Sequence, residues 1–180
     1  RPLTKEIINE YKDVYENTEN IFLKNEQVYE EIKPFLFKEP NFVQKDALEV
    51  LKANRQEGVK RGLVVMATGL GKTILSILDI IKFKAKKILF VAHREEILKQ
   101  SAESFKKFIP DKKYGFYQSK NKDFNADYLF ASIMTIGKKS ELEKFNRDEF
   151  DYIVVDEFHH AGAKSYRNLL DYFQPKFFLG

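Results

Sequence analysis

At 180 residues, 43% hydrophobic and 32% charged, the chain can bury one substantial core and is too short for two full α/β domains. It contains no cysteine, which excludes disulfide scaffolds, thiolate metal sites and thiol nucleophiles and fits a reducing, cytoplasmic setting. The formal net charge of +4 invites a nucleic-acid partner, but only 6 of the 31 basic residues are arginine, and paired lysines at expected element ends are the ordinary mark of solvated faces.

Neither a signal peptide nor an apolar run of roughly eighteen residues is present, so no membrane segment is expected. The chain opens on Arg1 rather than Met and closes on Gly180 directly after an apolar run; both ends are expected to be cut points within a longer protein. In the first 39 residues, Ile7, Ile8, Tyr11, Val14 and Tyr15, and then Ile21, Phe22, Val28, Tyr29 and Ile32, fall at helical spacing. Two short amphipathic helices are expected there, over 5–16 and 21–32. Pro34 and Pro40 bracket Phe35-Leu36-Phe37, which should be extended because proline and the residue before it disfavour helix. Residues 1–39 therefore read as a helical extension or linker, and residues 40–180 as the domain proper.

From residue 41 strand and helix patterns alternate, as a parallel sheet with crossover helices requires. Helices are expected over 42–56, 73–83, 94–108, 134–144 and 164–173. Strands are expected over 63–66, 87–92, 114–117, 128–132, 151–155 and 176–179. The fold class is α/β: a mostly parallel, doubly wound sheet with helices on both faces. The helix from Thr73 carries Ile74, Leu75, Ile77, Leu78, Ile80 and Ile81, which leaves a narrow polar stripe and places it against the sheet.

Between the strand expected at Leu63–Met66 and that helix lies Ala67-Thr68-Gly69-Leu70-Gly71-Lys72-Thr73. Gly69 and Gly71 let the backbone curl so that amide hydrogens, Thr68's among them, point inward, and the helix start adds unpaired amides and a positive dipole end. An anion fits such a nest. Lys72 can then reach the β- and γ-phosphates of a bound ATP, and the Thr73 hydroxyl can ligate Mg2+. The first glycine of the general Walker pattern would fall at Met66, so the match is to its Lys-Thr end.

The buried-strand pattern Phe150-Asp151-Tyr152-Ile153-Val154-Val155 ends in Asp156-Glu157-Phe158-His159. Carboxylates at the C-terminal end of a central strand sit where ligands bind in open α/β sheets. Asp156 would hold the metal, directly or through water, and Glu157 would orient and deprotonate the attacking water. The two motifs are expected at the tips of neighbouring strands.

These residues resemble motifs I and II of superfamily 2 helicases, and Asp156-Glu157-Phe158-His159 resembles the DExH variety found in type III restriction subunit-like proteins. The resemblance covers residues 40–180 and implies a RecA-like ATP-binding domain of a nucleic-acid helicase or translocase, cut before motif III. It implies that His159 couples the ATP site to the nucleic acid and that Gln44 corresponds to the glutamine that reads the adenine edge, where a carboxamide can both donate and accept. Val91-Ala92-His93-Arg94-Glu95-Glu96 resembles motif Ia, which implies that Arg94 grips the phosphate backbone. Ala131–Ile136 resembles motif Ib, with Ser132 and Thr135 as further contacts and Met134 where a polar residue is frequent. A second RecA-like domain in cis is implied as partner, DNA is favoured over RNA, and the domain alone is expected to turn over little ATP. A P-loop switch or scaffold that never acts on nucleic acid is the alternative left open by the residues.

Overall fold

Short apolar runs between polar stretches become the strands of one parallel sheet, and the helices that connect them cover both of its faces. The computed structural model describes residues 42–66, 71–156 and 164–180. The helices expected over 5–16 and 21–32, the extended stretch after them and the boundary at 39 lie outside the described residues.

The elements in chain order are α1 (Phe42–Gln56), β1 (Arg61–Gly62), α2 (Lys72–Phe83), β2 (Ile88–Ala92), α3 (Glu95–Phe108), β3 (Tyr114–Tyr117), β4 (Tyr128–Ser132), α4 (Ile133–Ile136), α5 (Lys139–Leu142), β5 (Tyr152–Val155), α6 (Lys164–Tyr172) and β6 (Phe177–Leu179). The strand order is β1-β6-β5-β2-β4-β3, and each pairing is parallel. The central strands β2, β4 and β5 are buried along their whole length, which is why they read as continuous apolar runs rather than alternating ones.

One face of the sheet presents Leu89, Val91, Leu129, Ile153 and Phe178 to Ile133 and Ile136 of α4, Leu142 of α5 and Leu169 of α6. The opposite face is aromatic. Phe105 of α3 meets Phe130 edge-on at 5.3 Å between ring centroids, and Phe83 of α2 meets Tyr152 at 5.2 Å, the offset and edge geometries that aromatic quadrupoles favour.

The β3–β4 connection, residues 118–127, is tied down from the first face. Phe124 packs on Phe145 with centroids 5.5 Å apart, and Glu141 of α5 accepts from the Tyr117 hydroxyl at 2.6 Å and from Lys122 and Lys144 at 2.9 Å each. The tyrosine hydrogen bond first, and the two lysines after it, hold the Glu141 carboxyl down to about 2. At the opposite end of the strands, Asp151 accepts from the backbone amides of Lys86 and Lys87 and pairs with Lys176 at 2.7 Å. Burial works against its charge, but these partners outweigh it and leave its carboxyl below the usual range.

Three expectations need correction. The strand expected at 63–66 is an edge segment: the ladder residues are Arg61 and Gly62, and pairing ends where the Val64 amide donates to the Gly180 carbonyl at 2.8 Å. Having a single neighbour, it alternates instead of being buried throughout; Met66 packs inward, while Leu63 and Val65 are 63% and 87% exposed. The helix expected over 134–144 is two short ones, broken at Gly137. A side chain at Gly137 would lie 2.7 Å from the Cβ of Ser165, and its carbonyl accepts from Asn168 Nδ2 of α6 at 3.0 Å, so a crossing element occupies the space a continuous helix would need. Finally, the strands carrying the two motifs are not neighbours, because β6 lies between β1 and β5 and pairs with both.

Candidate nucleotide-binding site

Gly71 caps α2 with φ 84° and ψ 41°, a left-handed conformation that only glycine adopts without strain. Its carbonyl receives two donors, the Leu75 amide at 2.9 Å, which starts the helix, and Gln44 Nε2 at 3.2 Å. A Cβ at this position would sit 2.5 Å from that same nitrogen, so the absence of a side chain also leaves room for the Gln44 carboxamide. Gln44 is buried. Lys72 is exposed and Thr73 half-buried, and the Thr73 carbonyl accepts from Ser76 Oγ at 2.8 Å.

Asp156 follows β5 directly, and its amide extends the ladder by donating to the Val91 carbonyl at 2.8 Å. Its side chain is half-buried. Lys72, Thr73 and Asp156 line one cavity of about 180 Å³ whose wall includes Leu179 and Gly180 from the end of β6. The intervening strand thus forms the floor between the two motifs. The cavity opens at the C-terminal ends of the strands, where open parallel sheets bind ligands. A primary ammonium and a hydroxyl at a helix start, with a carboxylate at a strand end across from them, are a set suited to a phosphate chain and a hard cation. Thr68, Gly69, Glu157 and His159 lie outside the described residues.

The nucleic-acid candidates fall on the same rim of the sheet. Arg94 is the exposed N-cap residue of α3, with extended backbone, and Glu95 and Glu96 occupy the first turn behind it. Ser132 ends β4 opposite Ala92 of β2, so the two junctions are adjacent. Ser132 and Thr135 are both largely buried, and Met134 between them is 58% exposed.

Sequence reasoning missed a second polar constellation beneath the cavity. Asp79 of α2 has no exposed surface. Its carboxylate takes both Arg55 guanidinium nitrogens at 2.7 Å each and the Tyr152 hydroxyl at 2.5 Å. Arg55 stacks over the Phe177 ring, 4.8 Å from its centroid. Burial first, and the Asp79 charge and hydrogen bond after it, push the Tyr152 phenol well above its ordinary range. The available signal was the aspartate itself: a carboxylate inside an otherwise apolar helix must find buried donors or face water, and α2 offers it no solvent.

A doubly wound parallel sheet whose glycine-lysine-threonine helix start and acidic strand end share one rim cavity defines a RecA-like P-loop domain. The chain belongs to the family described as type III restriction enzyme, res subunit, whose model matches residues 37–180. It is 33% identical over 144 residues to the "Putative ATP-dependent helicase IRC3" of Saccharomyces cerevisiae, covering 73% of this chain and 20% of that one. It is 31% identical over 151 residues to the type I restriction enzyme EcoAI endonuclease subunit of Escherichia coli, covering 76% and 18%. The UvsW helicase of bacteriophage T4 shares the fold with a TM-score of 0.60 at 21% identity, over 79% of this chain and 51% of that structure. The chain spans about a fifth of the length of the curated relatives it matches. Among the described residues no helix is long and apolar enough to cross a membrane.

Proposed function

We propose that this chain is the first ATP-binding domain of an ATP-dependent helicase or translocase acting on DNA in a restriction or repair setting, with Mg2+ as its metal. The observation that carries the proposal is that Lys72, Thr73 and Asp156, drawn from two separated motifs, line one cavity at the C-terminal rim. The family match and the resemblance to a restriction endonuclease subunit support the choice of DNA, and the cysteine-free composition fits the cytoplasm as its compartment.

In this proposal the start of α2 receives the phosphates, with the amides of Thr68, Gly69 and Gly71 as donors and Lys72 as the cation beside them. Thr73 Oγ1 and the Asp156 carboxylate are the oxygen ligands that hold the metal. When bound, Mg-ATP supplies a phosphoryl group whose negative charge the metal partly withdraws. Glu157 accepts a proton from the attacking water, His159 links that event to the nucleic acid, and Gln44 orients the adenine edge. Arg94, Ser132 and Thr135 hold the strand by its backbone, which permits movement along any sequence. A second RecA-like domain in the full-length protein completes the site, so this domain by itself turns over little ATP.

The test uses the full-length protein. Lys72→Ala and Asp156→Asn should each abolish DNA-stimulated ATP hydrolysis, and Lys72→Ala should also remove the thermal stabilisation conferred by Mg-ATP. Stimulated hydrolysis that survives both substitutions would contradict the proposal. Stimulation by RNA in place of DNA would overturn the choice of substrate.

A further inference from the structure

The two helices beside the cavity meet at three levels along their length. Gln44, Leu48, Leu51 and Arg55 fall four, three and four positions apart, on one face of α1. Gly71, Leu75, Asp79 and Phe83 recur every fourth position along α2 and its cap. Gln44 meets Gly71 at 3.2 Å, Leu48 and Leu75 share an apolar cluster, and Arg55 grips Asp79 through two hydrogen bonds while lying 5.6 Å from the Phe83 ring centroid. Tyr152 adds a third donor from β5, the strand that ends at Asp156.

An apolar seam of leucines tolerates small slides and rotations, whereas a planar guanidinium on a carboxylate fork allows one register. An ion pair whose carboxylate is fully buried and whose guanidinium is mostly so is also a weak source of net stability, since desolvation offsets most of its attraction. Its physical value here lies in fixing geometry. The fork sits at the last turn of α1 and Gln44 in the first, so the register set at Arg55 is delivered eleven residues along a rigid helix to the carboxamide.

We propose that Arg55 and Asp79 are positioning residues for base selection: their bidentate pair sets the register of α1 on α2 and thereby holds Gln44 at the Gly71 carbonyl, where it can discriminate the nucleotide base. The inference rests on the reading of Gln44 as the adenine contact. It assigns selectivity among nucleotides, not phosphate binding, to a contact at the far end of the helix from the cavity.

The experiment measures affinities of the full-length protein for ATP, GTP and inorganic tripolyphosphate. Gln44→Ala, measured first, should lower the preference for ATP over GTP and leave tripolyphosphate binding intact. Arg55→Gln should do the same, lowering the preference about threefold to tenfold, the range of one lost hydrogen bond. Its effect should vanish in the Gln44→Ala background, because two groups acting as a unit are not additive. Arg55→Lys, which keeps the charge without the fork, should shift the preference in the same direction and serves if Arg55→Gln does not fold. Unchanged preference in Arg55→Lys or Arg55→Gln while Gln44→Ala loses it overturns the positioning role and leaves the adenine reading standing. No loss of preference in Gln44→Ala overturns both, and additive effects overturn the positioning role, because Arg55 then acts on selectivity independently of Gln44.

Discussion

The side-chain amide of Gln44 donates to the Gly71 carbonyl at 3.2 Å, joining the first turn of α1 to the residue that caps the phosphate-loop helix. The contact exists because Gly71 has no side chain and can hold φ at 84°. Gly71→Ala therefore disturbs two things together. The left-handed backbone costs an L-residue about 1–2 kcal/mol, and the new methyl group meets Gln44 Nε2. The expected result is a lower urea midpoint together with at least a tenfold loss of ATP affinity, far more than the stability change alone accounts for. Normal ATP affinity in a folded Gly71→Ala protein would contradict the placement of Gln44 against the loop.

The Asp79 carboxylate supports a graded prediction, because its donors differ in kind. Tyr152→Phe removes one hydrogen bond from an uncharged donor and leaves the Arg55 fork, a loss of about 1.5–3 kcal/mol for a bond to a charged acceptor. Arg55→Met strands a buried carboxylate on a single hydroxyl and should cost about 3 kcal/mol or more. Chemical unfolding of both variants should give that order. Equal or reversed costs would mean that the charge of Asp79 is not compensated by Arg55.

What the sequence disclosed and what it hid follow one physical division. Elements buried on both faces, β2, β4 and β5, appear as apolar runs; the motif after β5 announces itself through paired charge, and the one before α2 through glycine. Edge and crossing effects do not. Leu63 and Val65 read as part of an apolar strand like the others, because hydropathy alone does not distinguish a central strand from one with a single neighbour. The break at Gly137 depends on Ser165 and Asn168, which come from α6. The insertion of β6 between the motif strands is a matter of chain topology that spacing does not encode. Asp79 was legible as a polar residue in an apolar helix, but its partners lie 24 and 73 residues away, beyond any local pattern.

Glu141 gives the domain an acid-sensitive tie. Its carboxyl is held down to about 2, first by Tyr117 and then by Lys122 and Lys144, against an ordinary value of 4.5. A depressed folded value means that the stabilisation is whole above the ordinary range and is lost as pH falls from there toward 2. Thermal melting followed between pH 6 and 3 should show wild type losing stability across the lower part of that window. Glu141→Gln should start lower at pH 6 and fall less steeply. Parallel pH profiles for the two proteins would rule out this carboxylate as a contributor.

Arg94 and the two acids behind it make opposite predictions at the same helix start. An exposed guanidinium at the N-cap of α3 attracts a phosphate backbone, and the helix dipole adds to it. Glu95 and Glu96 in the first turn work against an anion placed there, so the phosphate contact proposed for this junction would depend on the arginine rather than on the helix amides alone. In the full-length protein Arg94→Ala should weaken DNA binding and lower the slope of log affinity against log salt by about 0.7–0.9, the signature of one lost phosphate contact. Glu95→Gln should move affinity the other way by removing a repulsion, with little change in ATP binding in the absence of DNA. Salt titrations of the two variants separate this arrangement from a purely capping one: if Arg94 serves only α3, its removal changes melting temperature and leaves the salt slope where it was.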